Sequence, residues 1–345
     1  MKHFENLMRD CIELAKQGYG KVSPNPLVGC IILDKNGKKI ADGYHKAYGQ
    51  NHAERDALLK LENAKESTLI VNLEPCSHHG KTPPCTDLII EKGIKTVVYG
   101  MKDPNPKVNG LAKLKTAGIE IIGPVLEDEC KKINEVFIKN FKDKKTFVAL
   151  KTATTIDGKI ATHSGDSKWI TSEKARAEVR NIRKKYDAVL TSSSTVIADN
   201  PTMEHNKKII LDRELKTDLH SNIYNQGEIF IFNSKENKDI SEHIHYIKTP
   251  NQNNKSDIEF ILDKLFELGI MSVLVEAGGK LNSSFLPYID KLYHFTAPKI
   301  LSDNSGKSCF SGLMKDKISE CINLEYQSTE IFTPDILNIY TKNNI

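Results

Sequence analysis

His52, Glu54, Cys76 and Cys85 have the types and order that a catalytic metal site requires. The sequence reads NHAER at 51–55 and LEPCSHHGKTPPC at 73–85. One imidazole and two thiolates leave the fourth position of a zinc ion open to water. Such an ion stays Lewis acidic and brings its water close to ionising at neutral pH. Glu54 need not bind metal. In the first turn of a helix it can take the water's proton and hand it to a leaving nitrogen. Singly, each residue has a plainer reading: His52 as a cap, Glu54 as a favourable acid in a first turn, Cys76 as a core thiol. A purely structural zinc is the better competitor, with His78 or His79 as a fourth ligand.

The combination outweighs its parts. H-x-E followed by P-C…C on a later strand-to-helix turn is the signature of zinc-dependent nucleobase deaminases. Here the apolar run TLIVNL leads straight into EPC. Seven cysteines are an odd number and do not suggest a disulfide framework. Cys11, Cys30, Cys130, Cys309 and Cys321 read as buried free thiols.

The elements that position these residues follow from periodicity. Phe4, Leu7, Met8, Cys11, Leu14 and Ala15 form one helix face, ending near Gly18. Val28–Leu33 reads as a strand, DKNG as a hairpin turn, and Lys39–Gly43 as the return strand. A helix is expected over His52–Leu61, a strand over Thr68–Leu73, a helix over Pro84–Lys92 and a strand over Thr96–Tyr99. A helix through Leu111, Leu114 and Ala117 precedes a strand at 119–122. Residues 127–145 read as helical and then densely charged, which places a domain boundary near 145. The alternation then restarts, with strands at 147–151, 188–190, 208–211, 228–232 and 273–275 and helices at 172–184 and 258–268. NSKENKD and NQNNKSD read as polar surface loops. Strands alternating with helices argue an α/β layer fold in both domains, 1–145 and 146–345.

Composition narrows the function further. The net charge of +4 comes without a concentrated basic stripe, which argues against nucleic acid as partner. No apolar run is long enough to span a membrane and the N-terminus lacks a secretory core, so a cytoplasmic protein is expected. Three of the six arginines, Arg176, Arg180 and Arg183, share one expected helix, where a guanidinium suits phosphate recognition. The run EAGGKLNS at 276–283 follows a strand and opens a helix, a common but weak phosphate signal. No G-x-G-x-x-G occurs, which disfavours a Rossmann domain.

Two groups of motifs together resemble the bifunctional deaminase/reductase family of riboflavin biosynthesis. In the first half they are SPNPLVGC at 23–30, DGYHKAYGQNHAE at 42–54, the eight-residue insert SHHGKTPP between the two cysteines, and GMKDPNPKVNG at 100–110. In the second they are FVALKTATTIDGKIA at 147–161, GDSKWITS at 165–172, DAVLTSSSTVIADNP at 187–201 and EAGGKLNS. Simple cytidine and tRNA adenosine deaminases have a much shorter gap between their cysteines.

The resemblance implies a cytidine-deaminase-like three-layer αβα domain followed by a dihydrofolate-reductase-like α/β domain. It implies Zn2+ on His52, Cys76 and Cys85, with Glu54 catalytic. Asn25, His45, His78, His79 and Lys81 would surround a phosphoribosylaminopyrimidine substrate. In the second domain it implies NADPH along Ala153, Trp169, Thr195, Asp199 and Gly278, Gly279, Lys280, Leu281, Asn282, Ser283 and Ser284. Ser167, Arg183, Met203 and Glu276 would face the substrate, with Lys151 as the second catalytic group. It also implies a homodimer through the reductase domain. Two departures stand out: the loop after Gly110 is two residues short, and the family's phosphate-binding arginine after Met203 is missing. Lys207 or Lys208 would then supply a point charge. A monofunctional deaminase with a degenerate second domain is the alternative reading.

Overall fold

The apolar run TLIVNL is the middle strand of a five-stranded sheet. The computed structural model describes residues 2–80, 83–252, 255–312 and 315–342. The chain divides into two units, residues 1–144 and 145–345. The first contains α1 (Lys2–Lys16), β1 (Gly29–Leu33), β2 (Lys39–Tyr44), α2 (Ala53–Leu58), β3 (Thr68–Leu73) and α3 (Cys85–Glu91). It continues with β4 (Thr96–Met101), α4 (Gly110–Thr116), β5 (Glu120–Ile122), α5 (Glu127–Ile133) and α6 (Glu135–Asp143).

The sheet order is β2-β1-β3-β4-β5, with β1 antiparallel to both neighbours and β3, β4 and β5 parallel. β1 and β4 are buried along their whole length, as strands covered on both faces must be. α1 contacts α5, and α5 contacts α6; α3 contacts both α2 and α4. The helices therefore form two layers around the sheet, a cytidine-deaminase-like αβα arrangement. Met8, Cys11, Ile12 and Ala15 bury the apolar stripe of α1; a large aliphatic such as Met8 gains roughly 1.5–3 kcal/mol from full burial.

Two glycines bring the metal-site elements close. A Cβ on Gly43 would stand 2.6 Å from both the Ala53 carbonyl oxygen and the Ala57 nitrogen, so its absence lets α2 pack down on β2. A Cβ on Gly110 would overlap the Pro75 carbonyl, beside Cys76. α2 ends at Leu58 rather than Leu61, because the chain turns and Lys92 Nζ takes the Leu61 and Glu62 carbonyls at 2.7 and 3.0 Å. The helical stretch 127–145 is two helices. Between them Asn134 turns its side chain inward, accepting from Leu27 N at 2.8 Å and donating to Leu27 O at 3.0 Å.

The second unit opens with β6 (Phe147–Thr155), β7 (Lys159–Ala161), α7 (Glu173–Arg183), β8 (Ala188–Ser192), α8 (Ser193–Asp199) and β9 (Lys207–Leu211). β10 (Glu228–Asn233), β11 (Lys238–Ser241), β12 (Ile244–Lys248), β13 (Asn251–Gln252), β14 (Lys255–Ser256) and α9 (Ile258–Glu267) follow. The last are β15 (Ser272–Val275), α10 (Gly279–Phe285), β16 (Lys291–Ala297), β17 (Lys307–Ser308), β18 (Leu324–Phe332) and β19 (Asp335–Lys342). A ten-stranded sheet runs β11-β12-β10-β9-β8-β15-β6-β16-β19-β18, parallel through its centre with antiparallel pairs at both edges. This is the reductase-like α/β fold.

Ser172 caps α7, its hydroxyl accepting from Ala175 N. Against the expectation of loops, NSKENKD ends in the edge strand β11, and NQNNKSD contains the β13–β14 pair. Their polar composition hid the backbone pairing. Cys321 is exposed rather than buried, whereas Cys11, Cys30, Cys130 and Cys309 are buried free thiols. No helix among the described residues is long and apolar enough to cross a membrane.

Candidate active sites

The metal-site residues come from three element boundaries. His52 is the N-cap of α2, in extended conformation, and Glu54 lies in the first turn. Cys76 follows the C-terminal end of β3, and Cys85 is the first residue of α3. The carboxyl ends of parallel strands are where open α/β sheets bind ligands. Cys76 Sγ is 3.5 Å from His52 Nδ1, and Cys85 Sγ is 3.6 Å from the same atom. Tetrahedral zinc with ordinary bond lengths separates its sulfur and nitrogen ligands by about 3.6 Å. All three donor atoms lie within 4.8 Å of one another, and no fourth His, Cys, Asp or Glu joins them among the described residues. That is the donor set of an open, catalytic position, and it disfavours a closed structural site.

The thiols show what the ion would have to displace. Cys76 is held well below the ordinary thiol range, chiefly by a hydrogen bond from the Cys85 thiol. Cys85 keeps that shared proton and is pushed up. Metal binding must release it. Glu54 is 3% exposed; burial, reinforced by Cys76, pushes its carboxyl up to about 7. A bound dication would act in the opposite sense.

His52, Glu54 and Cys76 line a cavity of about 320 Å³. Asn25, His45, His52, Glu54, Cys76 and His78 supply polar groups, while Val28, Leu73, Val108, Phe137 and Phe141 give apolar walls. His79 is exposed and is not among the lining residues. Lys81 lies outside the described residues. His45 is 2% exposed, and burial lowers its pKa, favouring the neutral ring.

Sequence reading missed Glu74 and the phenylalanines of α6. Glu74 is buried, its Oε1 accepting from Leu111 N at 3.1 Å and its Oε2 from Asp103 N at 3.3 Å. It thereby ties both ends of the 103–111 loop to the end of β3. A lone glutamate after a strand carries no spacing signal, and Phe137 and Phe141 look like any helix face. Substituting Glu74→Gln sets an NH2 against a backbone donor. The expected outcome is a loss of about 1–3 kcal/mol of stability in the first unit and a raised KM for deamination. Thermal unfolding and initial rates check this, and an unaltered KM would dissociate the loop from substrate binding.

In the second unit Lys151, Arg183 and Glu276 converge. Arg183 Nε and Nη2 donate to the two Glu276 oxygens at 2.6 and 3.1 Å, and Lys151 Nζ lies 2.9 Å from Oε2. Burial alone would raise the Glu276 pKa; Lys151 and Arg183 overcome it and hold the carboxyl at about 2. Lys151 and Ala153 are partly exposed on β6.

Trp169 is 62% exposed rather than packed in the core, and the Arg176 guanidinium stacks over it at 4.2 Å. It lines a shallow cavity of about 210 Å³ with Ser167 and Lys168. Lys168 Nζ is 3.5 Å from the Asp199 carbonyl. The Thr195 amide donates to Ser192 Oγ at the start of α8. Gly278 caps α10 with open space where a Cβ would stand. Gly279, Asn282 and Ser283 are buried, Leu281 is half-buried, and Lys280 and Ser284 are exposed. Met203 is buried with Val189, Val196 and Ile210.

The two lysines considered in place of the missing arginine are otherwise engaged. Lys208 is 2% exposed and donates to the Ile223 and Gln226 carbonyls, both at 2.7 Å. Lys207 pairs with Glu228 at 3.7 Å. The alternation of β9 turns Lys208 into the protein, which a run of two lysines does not reveal.

Residues 1–101 match the cytidine and deoxycytidylate deaminase zinc-binding region, and residues 146–338 match the RibD C-terminal domain. Fold and site therefore define a zinc deaminase joined to a reductase. The chain is 39% identical to the riboflavin biosynthesis protein RibD of Actinobacillus pleuropneumoniae, over 96% of this chain and 94% of that one. It is 42% identical to a crystal structure of a diaminohydroxyphosphoribosylaminopyrimidine deaminase/5-amino-6-(5-phosphoribosylamino)uracil reductase from Thermotoga maritima, with a TM-score of 0.90 over 99% of both chains. Acinetobacter baumannii RibD is 31% identical, with a TM-score of 0.87 over 99% of both. The chain belongs to the RibD family of bifunctional deaminase/reductases of riboflavin biosynthesis.

Proposed function

We propose that the first unit deaminates 2,5-diamino-6-(5-phosphoribosylamino)pyrimidin-4(3H)-one to 5-amino-6-(5-phosphoribosylamino)uracil, and that the second reduces the ribosyl chain of that product to ribityl with NADPH. The observation that carries the first half is the open three-ligand set beside a buried glutamate in one cavity. The activities of the Thermotoga maritima protein support both halves.

His52, Cys76 and Cys85 would hold zinc, which when bound supplies Lewis acidity and makes water nucleophilic near neutral pH. Glu54 then receives the proton of the attacking water on its carboxylate and passes it to the amine nitrogen, which leaves as ammonia. Its burial keeps bulk water from competing for that proton. Phe137, Phe141, Val28 and Val108 bound the space for the ring, and His78 offers a donor to the anionic tail.

In the second unit, open space beside Gly278 fits the close approach of a dinucleotide to backbone. Two buried oxygens, Thr154 Oγ1 and Asn282 Oδ1, have no partner there. Ala153, Trp169, Thr195, Asp199 and residues 278–284 would hold NADPH, which supplies the hydride. Glu276 fixes the charged Lys151 ammonium, which stabilises negative charge or supplies a proton as the ribosyl carbon is reduced. Ser167, Arg183 and Met203 complete the proposed substrate surface.

A Glu54→Ala variant tests both halves at once. It should bind zinc and lose deamination by roughly a hundredfold or more. Given the already deaminated substrate, it should oxidise NADPH at the parental rate. Absence of NADPH oxidation by both proteins would leave a deaminase with a non-catalytic second unit. Absence of zinc from the parent would remove the metal reading.

A further inference from the structure

We infer that Arg176 is a positioning residue: its guanidinium holds Trp169, the one tryptophan of the chain, as a fixed and exposed platform on which a planar ring of the dinucleotide stacks. The inference rests on the proposed NADPH-dependent reduction and deepens it.

Core packing does not account for Trp169, which is 62% exposed. Its ring lines the shallow cavity with Thr155, Ser167, Lys168 and Lys299. The Arg176 guanidinium lies 4.2 Å from the ring centroid, the distance at which a planar cation stacks on an aromatic face. Arg176 is not among the residues lining the cavity, so its influence on a ligand there passes through the indole. Nor does local electrostatics account for Arg176. A cation in the first turn of α7 gains nothing from the helix dipole, and this one forms no ion pair among the described residues. Its Nη1 turns back to donate to Thr171 O at 2.7 Å, which fixes the guanidinium above the ring.

The backbone that carries Trp169 is tied on both sides. Lys299 Nζ donates to Trp169 O at 2.6 Å. Lys299 is itself held, because Ile156 N donates to its carbonyl at 2.8 Å and its own N–H donates to Ala297 O at 2.7 Å. Three residues past the indole, Ser172 N donates at 2.7 Å to Asp335 Oδ2, a buried carboxylate at the start of β19. With the backbone fixed, the freedom left to an exposed indole is rotation of its side chain, on the picosecond to nanosecond scale. The guanidinium stacked on one face removes that freedom and leaves the rest of the ring to solvent. A ring ordered in advance binds a flat ligand without the ordering cost that a mobile side chain would add.

Because the chain has a single tryptophan, its fluorescence reads the inference directly. In the full chain without NADPH, the anisotropy of Trp169 should decay with the tumbling of the unit that carries it. Arg176→Ala should add a fast component from local motion of the indole, with the unfolding temperature close to the parental one. NADPH binding, read as energy transfer from Trp169 to the reduced nicotinamide, should weaken by roughly threefold to tenfold. The KM for NADPH should rise by the same factor with kcat within about twofold of the parent, because the stack is equally present before and during hydride transfer. Arg176→Lys keeps the charge but not the planar stack, so it should resemble Arg176→Ala; it also carries the test should the alanine variant fail to fold. In a Trp169→Ala background, Arg176→Ala should raise the KM no further, since Arg176 acts only through the indole. Parental anisotropy in Arg176→Ala, parental NADPH affinity in Arg176→Lys, or losses that multiply in the double variant would overturn the inference. A parent that binds no NADPH would instead overturn the reductase reading, while the anisotropy of the free chain would still report whether Arg176 holds the ring.

Discussion

A Cys76→Ala chain is expected to purify with no zinc, where the parent holds about one ion per chain, and to lose deamination by roughly a thousandfold or more. The donor set has no redundancy. Cys76 and Cys85 both face His52 Nδ1, and no further His, Cys, Asp or Glu joins this set among the described residues. Two remaining ligands cannot hold the ion against exchange. Zinc stabilises the state it binds, so adding it to stripped parent should raise the unfolding temperature of the first unit, and the variant should not respond. Reduction of already deaminated substrate should continue at the parental rate, since every residue lining the metal cavity lies between 25 and 141. Metal analysis, calorimetry and the two rate assays read these outcomes separately. A variant that retains stoichiometric zinc would mean that other residues hold the ion.

That such a prediction can be drawn from four residues reflects how metal chemistry constrains sequence. Zinc accepts few donor types and needs them converged, so His52, Cys76 and Cys85 announce themselves by identity and by their place at strand and helix boundaries. Glu54 is legible because its chemistry fixes it close to a ligand. Glu74, Asn72 and Asn134 do equally necessary work by hydrogen-bonding backbone, which any acid or amide in the right place can do. Nothing in their local sequence separates them from surface residues; only the fold brings Asn134 across to Leu27. His45 is named through the family resemblance, but its two ring partners, the Asn25 side chain and the Asn51 carbonyl, are brought to it only by the fold.

The fold shows the same division. Strands buried on both faces, such as TVVYGM and SVLV, read directly as apolar runs. The C-terminal strands β18 and β19 do not, because β18 is the sheet edge with β19 beside it, and both mix polar and apolar residues. Tyr326 and Ile331 on β18 are more than half exposed. Lys208 inverts the usual rule: it sits on a buried strand and satisfies two loop carbonyls, so its charge marks a structural anchor rather than a ligand site.

Glu276 is where packing and chemistry in the second unit depend on one carboxylate, and replacing it by glutamine should have the largest effect there. In the parent, the Glu276 charge compensates Lys151 and Arg183, both of which it contacts. Glu276→Gln leaves two cations without their shared anion. Breaking a buried ion pair from one side costs about 3–5 kcal/mol, so the second unit should unfold at markedly lower temperature. The pH dependence has a definite sign. The folded carboxyl titrates at about 2, below its ordinary value of 4.5. Its contribution is therefore fully present above pH 4.5 and is lost as pH falls towards 2. The stability gap between parent and variant should be widest at neutral pH and close on acidification through that window. Lys151 would also lose the contact that fixes its ammonium, and the reductase rate should fall by roughly a hundredfold or more while deamination is retained. Calorimetry across the acid range and NADPH oxidation at neutral pH test the two consequences independently. A reductase rate within a few-fold of the parent would show that Lys151 needs no carboxylate to hold it, and a gap constant with pH would show that the charge of Glu276 is not what stabilises the unit.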